Sequence, residues 1–273
     1  MDFSDGNDVS ERSQPETPVL RVAIATVISP RESFVYYQEM FSALSEHLDM
    51  RIEFKQRGTY EEVNNMLAQN MVDMAFVCSG AYIHGSDHME LMFVPLVNGE
   101  PYYRGYIITN KNSDIHQFDD LRGHSFTHSD PLCFTGKLFV DKRLAEKNML
   151  ADEFFGKVIY SLSHDISIQM VSSNIIGGAA VNGLIFEYLR LYQPDLVADI
   201  RIIEYTEPGG IPPVVNSLLM SRALRSDIQD FFLNMHKQEQ TKKILDNLLI
   251  DRFVISGDTL YDGLRDVIEV LNQ

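Results

Sequence analysis

Apolar positions along the chain alternate between two spacings. Leu20 to Val27 is a short continuous apolar run of strand length. Ile28 to Ser33 breaks it as a loop holding a helix start, and Phe34, Tyr37, Phe41, Leu44 and Leu48 then recur at helical spacing. Met50 to Lys55 reads as a second strand. Tyr60 to Asn70 reads as a helix with Val63, Met66 and Leu67 on one face. Val72 to Val77 is a buried strand ending at Cys78-Ser79-Gly80-Ala81-Tyr82, and another strand follows near Leu91 to Val97. Strands separated by helical segments predict parallel sheets with helices on both faces.

The pattern then restarts. Tyr103 to Thr109, His124 to His128, Val158 to Leu162, Ala179 to Val181, Arg201 to Tyr205 and Val214 to Met220 read as strands. Helical spacing is found over Phe134 to Ala145, Ile166 to Ser173 and Asn182 to Leu191, and again in the tail from Ser221 to a helix near Thr259 to Leu271. Two α/β units in series predict two lobes, and ligands of open α/β sheets bind beyond the carboxyl ends of strands. Loops 28–33, 78–82, 129–136 and 162–166 fall at such ends.

The stretch from Ser129 to Lys137 carries the most chemistry. Pro131 stops a strand, and small or hydroxyl-bearing residues open a helix. The first backbone N–H groups of a helix lack internal partners and favour negative charge, so this is a candidate anion site. The same residues also serve an ordinary N-cap, with Thr135 or Ser129 as the capping side chain.

Composition narrows the function. A chain of 273 residues suits two lobes of about 100–150 residues each. The formal charge of −16, with no local run of Lys and Arg, argues against nucleic acid and anionic membranes as partners. It leaves room for a small anion held by backbone N–H groups. The longest apolar runs fall short of the roughly 18–20 residues that span a bilayer. No signal-peptide pattern opens the chain, which fits a cytoplasmic protein or the mature or trimmed form of an exported one. Residues 1–18 are polar and acidic and read as a disordered lead-in, where a membrane tether or cleaved signal would attach. Two cysteines, Cys78 and Cys133, make neither a disulfide framework nor a zinc set; they read as two buried thiols, with one bridge left open.

With these loops in place, roughly residues 20–265 resemble the phosphonate/phosphite-type substrate-binding proteins of ABC uptake systems, two-lobed type II periplasmic binding proteins. Val72 to Tyr82 looks like the family's first-lobe strand and loop, and Gly99 to Tyr106 like its crossover into the second lobe. Phe118 to Gly123 looks like its Asp-Leu-basic-Gly turn. Asp130-Pro131 through Thr135-Gly136 looks like its Asp-Pro-x-Ser-x-Ser-Gly anion loop. Ser163-His164-Asp165 looks like its Ser-His-Glu segment, and Ile211 to Val215 like the returning crossover.

The resemblance implies an α/β two-lobed type II periplasmic-binding-protein fold, each lobe a mainly parallel sheet flanked by helices, with the ligand cleft at the hinge. It implies lobe one at residues 19–103 and 215–273 and lobe two at 104–214, each boundary within about ten residues. It implies a tetrahedral oxyanion at the helix N-terminus, with Cys133, Phe134 and Thr135 presenting backbone N–H groups and Thr135 a hydroxyl. Tyr60, Ser79, Tyr103, His164 and Asn182 would complete the shell, with Arg31 and Gly80 as further candidates. Cys133 stands where the family often has serine, and a thiol is a weaker donor. Asn182 stands where aminophosphonate binders carry an acid, so phosphate, phosphite or a small alkylphosphonate fits better. The implied protein is a non-enzymatic, periplasmic or extracytoplasmic solute-binding protein without cofactor or metal. It would serve an ABC permease, or else the transmembrane region of a signalling protein as its sensor domain.

Plainer readings stand beside these. His164 could be a polar residue at a strand end, Tyr102-Tyr103 plain strand aromatics, Arg31 and Lys137 solvated charges, and Ser79-Gly80 a turn. A different class of function makes Cys78 or Cys133 a nucleophile with His164 as base. No catalytic signature surrounds either cysteine, and no Walker loop, dinucleotide fingerprint or HExxH is present. An effector-binding domain of a transcription regulator shares the architecture but fits these loops poorly.

Overall fold

The computed structural model describes residues 17–25 and 30–271. The lead-in expected over 1–18 lies outside them except for its last two residues, as does the start of the loop expected over 28–33. β1 (Val19–Ala25) leads to helix α1 (Pro30–Leu48), β2 (Arg51–Arg57), helix α2 (Tyr60–Ala68) and β3 (Met74–Phe76). β1 pairs in parallel with both β2 and β3. Asp73 fixes that register. Its carboxylate accepts the Arg21 backbone N–H at 2.7 Å and pairs with the Arg21 guanidinium at 2.6 Å.

Helix α2 begins where its sequence says. The Thr59 hydroxyl accepts from Glu62 N, and the Glu62 carboxylate accepts from Thr59 N, a reciprocal cap. A cap of this kind contributes about 1 kcal/mol and places Tyr60 on the first turn. Beyond β3, where a loop was expected over 78–82, helix α3 (Ser79–Gly85) starts at once. Ser79 and Gly80 are therefore a helix start and not a turn. β4 (Met89–Leu96) follows, and a tight turn through Asn98 (φ 54°) and Gly99 (φ 79°) leads to β5 (Tyr102–Tyr103).

The second sheet comprises β6 (Gly105–Asn110), β7 (Ser125–His128), β8 (Lys157–Tyr160), β9 (Gly178–Asn182) and β10 (Ile200–Tyr205). Its helices are α4 (Phe139–Ala145), α5 (Ala151–Phe154), α6 (His164–Ser172), α7 (Gly183–Tyr192) and α8 (Pro194–Val197). β11 (Gly209–Gly210) pairs with β5 as a short ribbon where the chain passes between the sheets. β12 (Val214–Ser217) returns to the first sheet, followed by helices α9 (Arg222–Asn234) and α10 (Glu239–Asn247), β13 (Arg252–Val254) and helix α11 (Asp262–Leu271).

The sheets run β13-β4-β12-β3-β1-β2 and β10-β6-β9-β7-β8. They are mixed and not mainly parallel. Only β2-β1-β3 and β8-β7-β9 are parallel, because the strands next to the crossings, β6 and β12, enter each sheet in the opposite sense.

Each lobe has its own core. Leu20, Val22, Phe93 and Phe232 pack under α1 and α9 in the first, while Phe118, Phe126, Phe154 and Phe155 stack in the second. A further cluster joins the lobes and holds Tyr60, Cys78, Tyr103, Cys133, Phe134 and Tyr261. Helix α11 reaches the second lobe and packs against α4. Among the described residues no helix is long and apolar enough to cross a membrane.

Candidate ligand-binding site

The chain after β7 builds the site. The helix expected from Phe134 opens with one wide π turn, Phe134–Leu138, in which Leu138 N donates to the Cys133 carbonyl, before α4 proper begins. Such turns are rare and gather at functional positions. Cys133 is the cap: its sulfur accepts the Gly136 N–H at 3.3 Å. The capping reading offered for Ser129 or Thr135 therefore moves to the cysteine between them.

In the other lobe Cys78 stands at the N-cap position of α3, without a side-chain cap bond, and its sulfur lies 4.0 Å from that of Cys133. Both thiols are buried and free.

Polar side chains converge on these two sulfurs. Thr135 Oγ1 is 3.6 Å from Cys133 Sγ, and so is His164 Nε2. His164 is fully buried on the first turn of α6, not exposed at a strand end. Its Nδ1 accepts the Asn182 backbone N–H at 3.1 Å, so in the neutral ring Nε2 carries the hydrogen and faces the cluster. The hydroxyls of Tyr60, Tyr103 and Ser129 are buried without a hydrogen-bond partner. Burial pushes both tyrosines well above their ordinary values, with the cysteine sulfurs adding to the effect, so both stay protonated and able to donate.

The remaining candidates have other duties. Ser79 Oγ donates to the Gly210 carbonyl at 2.5 Å, and Asn182 caps α7 by accepting from Leu184 N at 2.8 Å. The Phe134 ring packs on Gly209, with Tyr103 edge-on at 6.1 Å. Lys137 pairs with Asp141. The side chain of Arg31, which lies on α1, is outside the described residues.

At Gly80 the two lobes pack backbone against backbone. A Cβ there would stand 2.2 Å from the Leu132 carbonyl oxygen. Asp130 joins them by hydrogen bonding, accepting from Tyr60 N at 3.0 Å and from Leu132 N at 2.8 Å. Burial pushes this carboxyl up and the two N–H groups oppose it. Asp130 has a role that the sequence pattern does not assign it, and Cys133, not Ser129, is the helix cap; the Asp-Pro pair at a strand end is the local signal for the first. A cavity of about 860 Å³, lined by Phe76, Leu184, Tyr188 and Pro212 among others, adjoins the cluster and shares Tyr103 and Asn182 with it.

Cys133 and Cys78 diverge in acidity. Burial pushes Cys133 up, but the Cys78 thiol and the His164 ring beside it outweigh burial and hold the thiol well below the usual range. Cys78 is pushed well above that range by its bond to Cys133 and by burial. The arrangement is rich in donors from both lobes around one point, which is what an anion requires. No group of three metal-ligating side chains is placed to hold a metal ion among the described residues.

Residues 22–261 match the family model for the periplasmic substrate-binding proteins of ABC phosphonate transporters. A phosphonates-binding periplasmic protein of Escherichia coli (strain K12) is 25% identical over 176 residues, which is 62% of this chain. The chain spans about half of that relative's length, 51%. A binding-protein component of an ABC phosphonate transporter from Pseudomonas aeruginosa superposes with a TM-score of 0.89 at 21% identity, covering 94% of this chain and 87% of its own. A Prochlorococcus marinus protein solved in complex with methylphosphonate gives 0.83 at 17% identity, covering 93% and 98%. Both superpositions bear on the fold.

Proposed function

The chain belongs to the phosphonate-binding family of periplasmic ABC-transporter substrate-binding proteins, and we propose that it is a solute-binding protein, not an enzyme, that closes two lobes on a small tetrahedral oxyanion. The observation that supports this best is the set of three buried, unpartnered hydroxyls, on Tyr60, Tyr103 and Ser129, around the helix start at Cys133. Buried polar groups normally have partners, and a ligand with several acceptor oxygens would supply them. Thr135 Oγ1 and His164 Nε2 extend the donor set.

The ligand class is phosphonate, phosphite or phosphate. Asn182 offers a ligand amine no charge, and the Asp130 carboxylate already accepts two backbone N–H groups. Partial opening about the β5–β11 ribbon admits the anion, and closure presents the loaded protein to an ABC permease outside the cytoplasmic membrane. A relative solved with methylphosphonate makes that compound the first to try.

The test is a thermal-shift panel on dialysed protein kept under reductant, with phosphate, phosphite, methylphosphonate, 2-aminoethylphosphonate and sulfate. A ligand at 100 times its dissociation constant adds about 2.7 kcal/mol. A response to one of the first three, with none to the amine, supports the reading. Silence from all five on ligand-free protein sinks it.

A further inference from the structure

Cys78 and Cys133 come from different lobes, 55 residues apart in sequence, and meet nowhere but across the closed interface. Both stand at the N-cap position of their helices, and the Cys133 sulfur also accepts the Gly136 N–H. Their separation of 4.0 Å exceeds the ~2.05 Å of a disulfide, and side-chain rotation with a small further approach would close the gap. Gly80 supplies the close approach, since any Cβ there would hold the two helix starts apart.

We propose that the pair is an oxidation site, and that an interlobe disulfide between Cys78 and Cys133 locks the cleft shut. The oxidant is hydrogen peroxide. The Cys133 thiolate attacks one peroxide oxygen; the O–O bond breaks, a sulfenic acid forms and hydroxide leaves. The Cys78 sulfur then attacks the sulfenic sulfur; the S–O bond breaks and the hydroxyl leaves as water with the Cys78 proton. The dithiol loses two electrons and two protons, and the peroxide becomes two waters.

The surroundings assign the roles. His164 Nε2 and the Gly136 N–H face Cys133 and favour its thiolate, the nucleophile of the first step. Cys78, the more basic thiol, is the resolving partner. The peroxide reaches Cys133 when the lobes part, and condensation follows when they meet. The inference rests on that opening and closing and not on which anion is bound.

The experiment uses the full chain, ligand-free and fully reduced, treated with hydrogen peroxide and digested under acid. The expected result is a peptide linking Cys78 to Cys133, a loss of about two mass units from the intact chain, and full reversal by dithiothreitol. Oxidised protein should also resist N-ethylmaleimide and keep a compact scattering radius, while Cys78→Ser should trap the sulfenic acid on Cys133. Oxidation of Cys133 to sulfinic acid without a link, a link between chains, or an oxidised protein that opens as the reduced one does would each overturn the proposal. Anion binding is read separately on reduced protein, so failure of one reading leaves the other standing.

Discussion

The backbone N–H of Tyr60 donates to the Asp130 carboxylate at 3.0 Å across 70 residues of sequence, tying the first turn of a helix in one lobe to the loop after β7 in the other. The same carboxylate holds the loop itself through Leu132 N. One side chain thus holds the loop after β7 and bonds it to the opposite lobe.

Asp130→Ala should therefore favour the open state. It removes the charged acceptor of the one N–H bonded across the lobes, a change of about 1.5–3 kcal/mol, or roughly tenfold to a hundredfold in the ratio of closed to open. Small-angle scattering of the ligand-free variant should give a larger radius than the parent. An unchanged radius would show that the bond does not govern closure.

Gly80→Ala tests closure by shape alone. Glycine within a helix costs about 1 kcal/mol relative to alanine, so α3 itself should gain from the change. The new methyl group would meet the Leu132 carbonyl at 2.2 Å and the Phe134 nitrogen at 3.1 Å, both main-chain atoms of the second lobe that cannot swing aside. The expected outcome is a melting temperature within a few degrees of the parent and an affinity for the oxyanion reduced at least tenfold. Full affinity in calorimetry would mean that the lobes need not meet at this point.

Acid should weaken the fold through His128. The ring is almost completely buried, and burial, opposed by the Gly136 carbonyl, lowers its affinity for a proton. The unfolded chain then takes up protons that the folded chain refuses, beginning near the ordinary histidine value of about 6.5. The contribution of neutral His128 is fully present above that value and is lost as pH falls towards the lowered folded value, by at most about 1.4 kcal/mol per pH unit. Denaturant midpoints measured at pH 8 and pH 5 should separate the parent from His128→Gln, whose profile should be flatter. Parallel profiles would assign the acid sensitivity to other groups.

Much of this was legible in the sequence because local signals agreed with the fold. Thr59 and Glu62 mark the start of α2 three residues apart, and Asp73 sits next to the apolar strand it registers. What could not be read was distance between remote segments. Nothing local places Cys78 beside Cys133 or points Asp130 at Tyr60. The π turn after Cys133 was also hidden, because helical spacing of apolar residues survives one widened turn. Sheet direction was misread for a related reason: alternation of strands and helices implies parallel pairing only where the chain stays within one lobe, and β6 and β12 do not.

Thr135 gives the sharpest test of the site. Its hydroxyl lies among the orphaned hydroxyls, 3.6 Å from the Cys133 sulfur, while its methyl-bearing side packs on Gly105, where any Cβ would meet it at under 3 Å. Thr135→Val keeps that packing surface and deletes only the hydroxyl. A hydrogen bond to a charged ligand contributes about 1.5–3 kcal/mol, so affinity for the responding oxyanion should fall roughly tenfold to a hundredfold. Stability without ligand should hold or rise slightly, since a buried polar group has been removed. If titration calorimetry finds the affinity unchanged, the anion does not sit at this helix start, and the three unpartnered hydroxyls need another explanation.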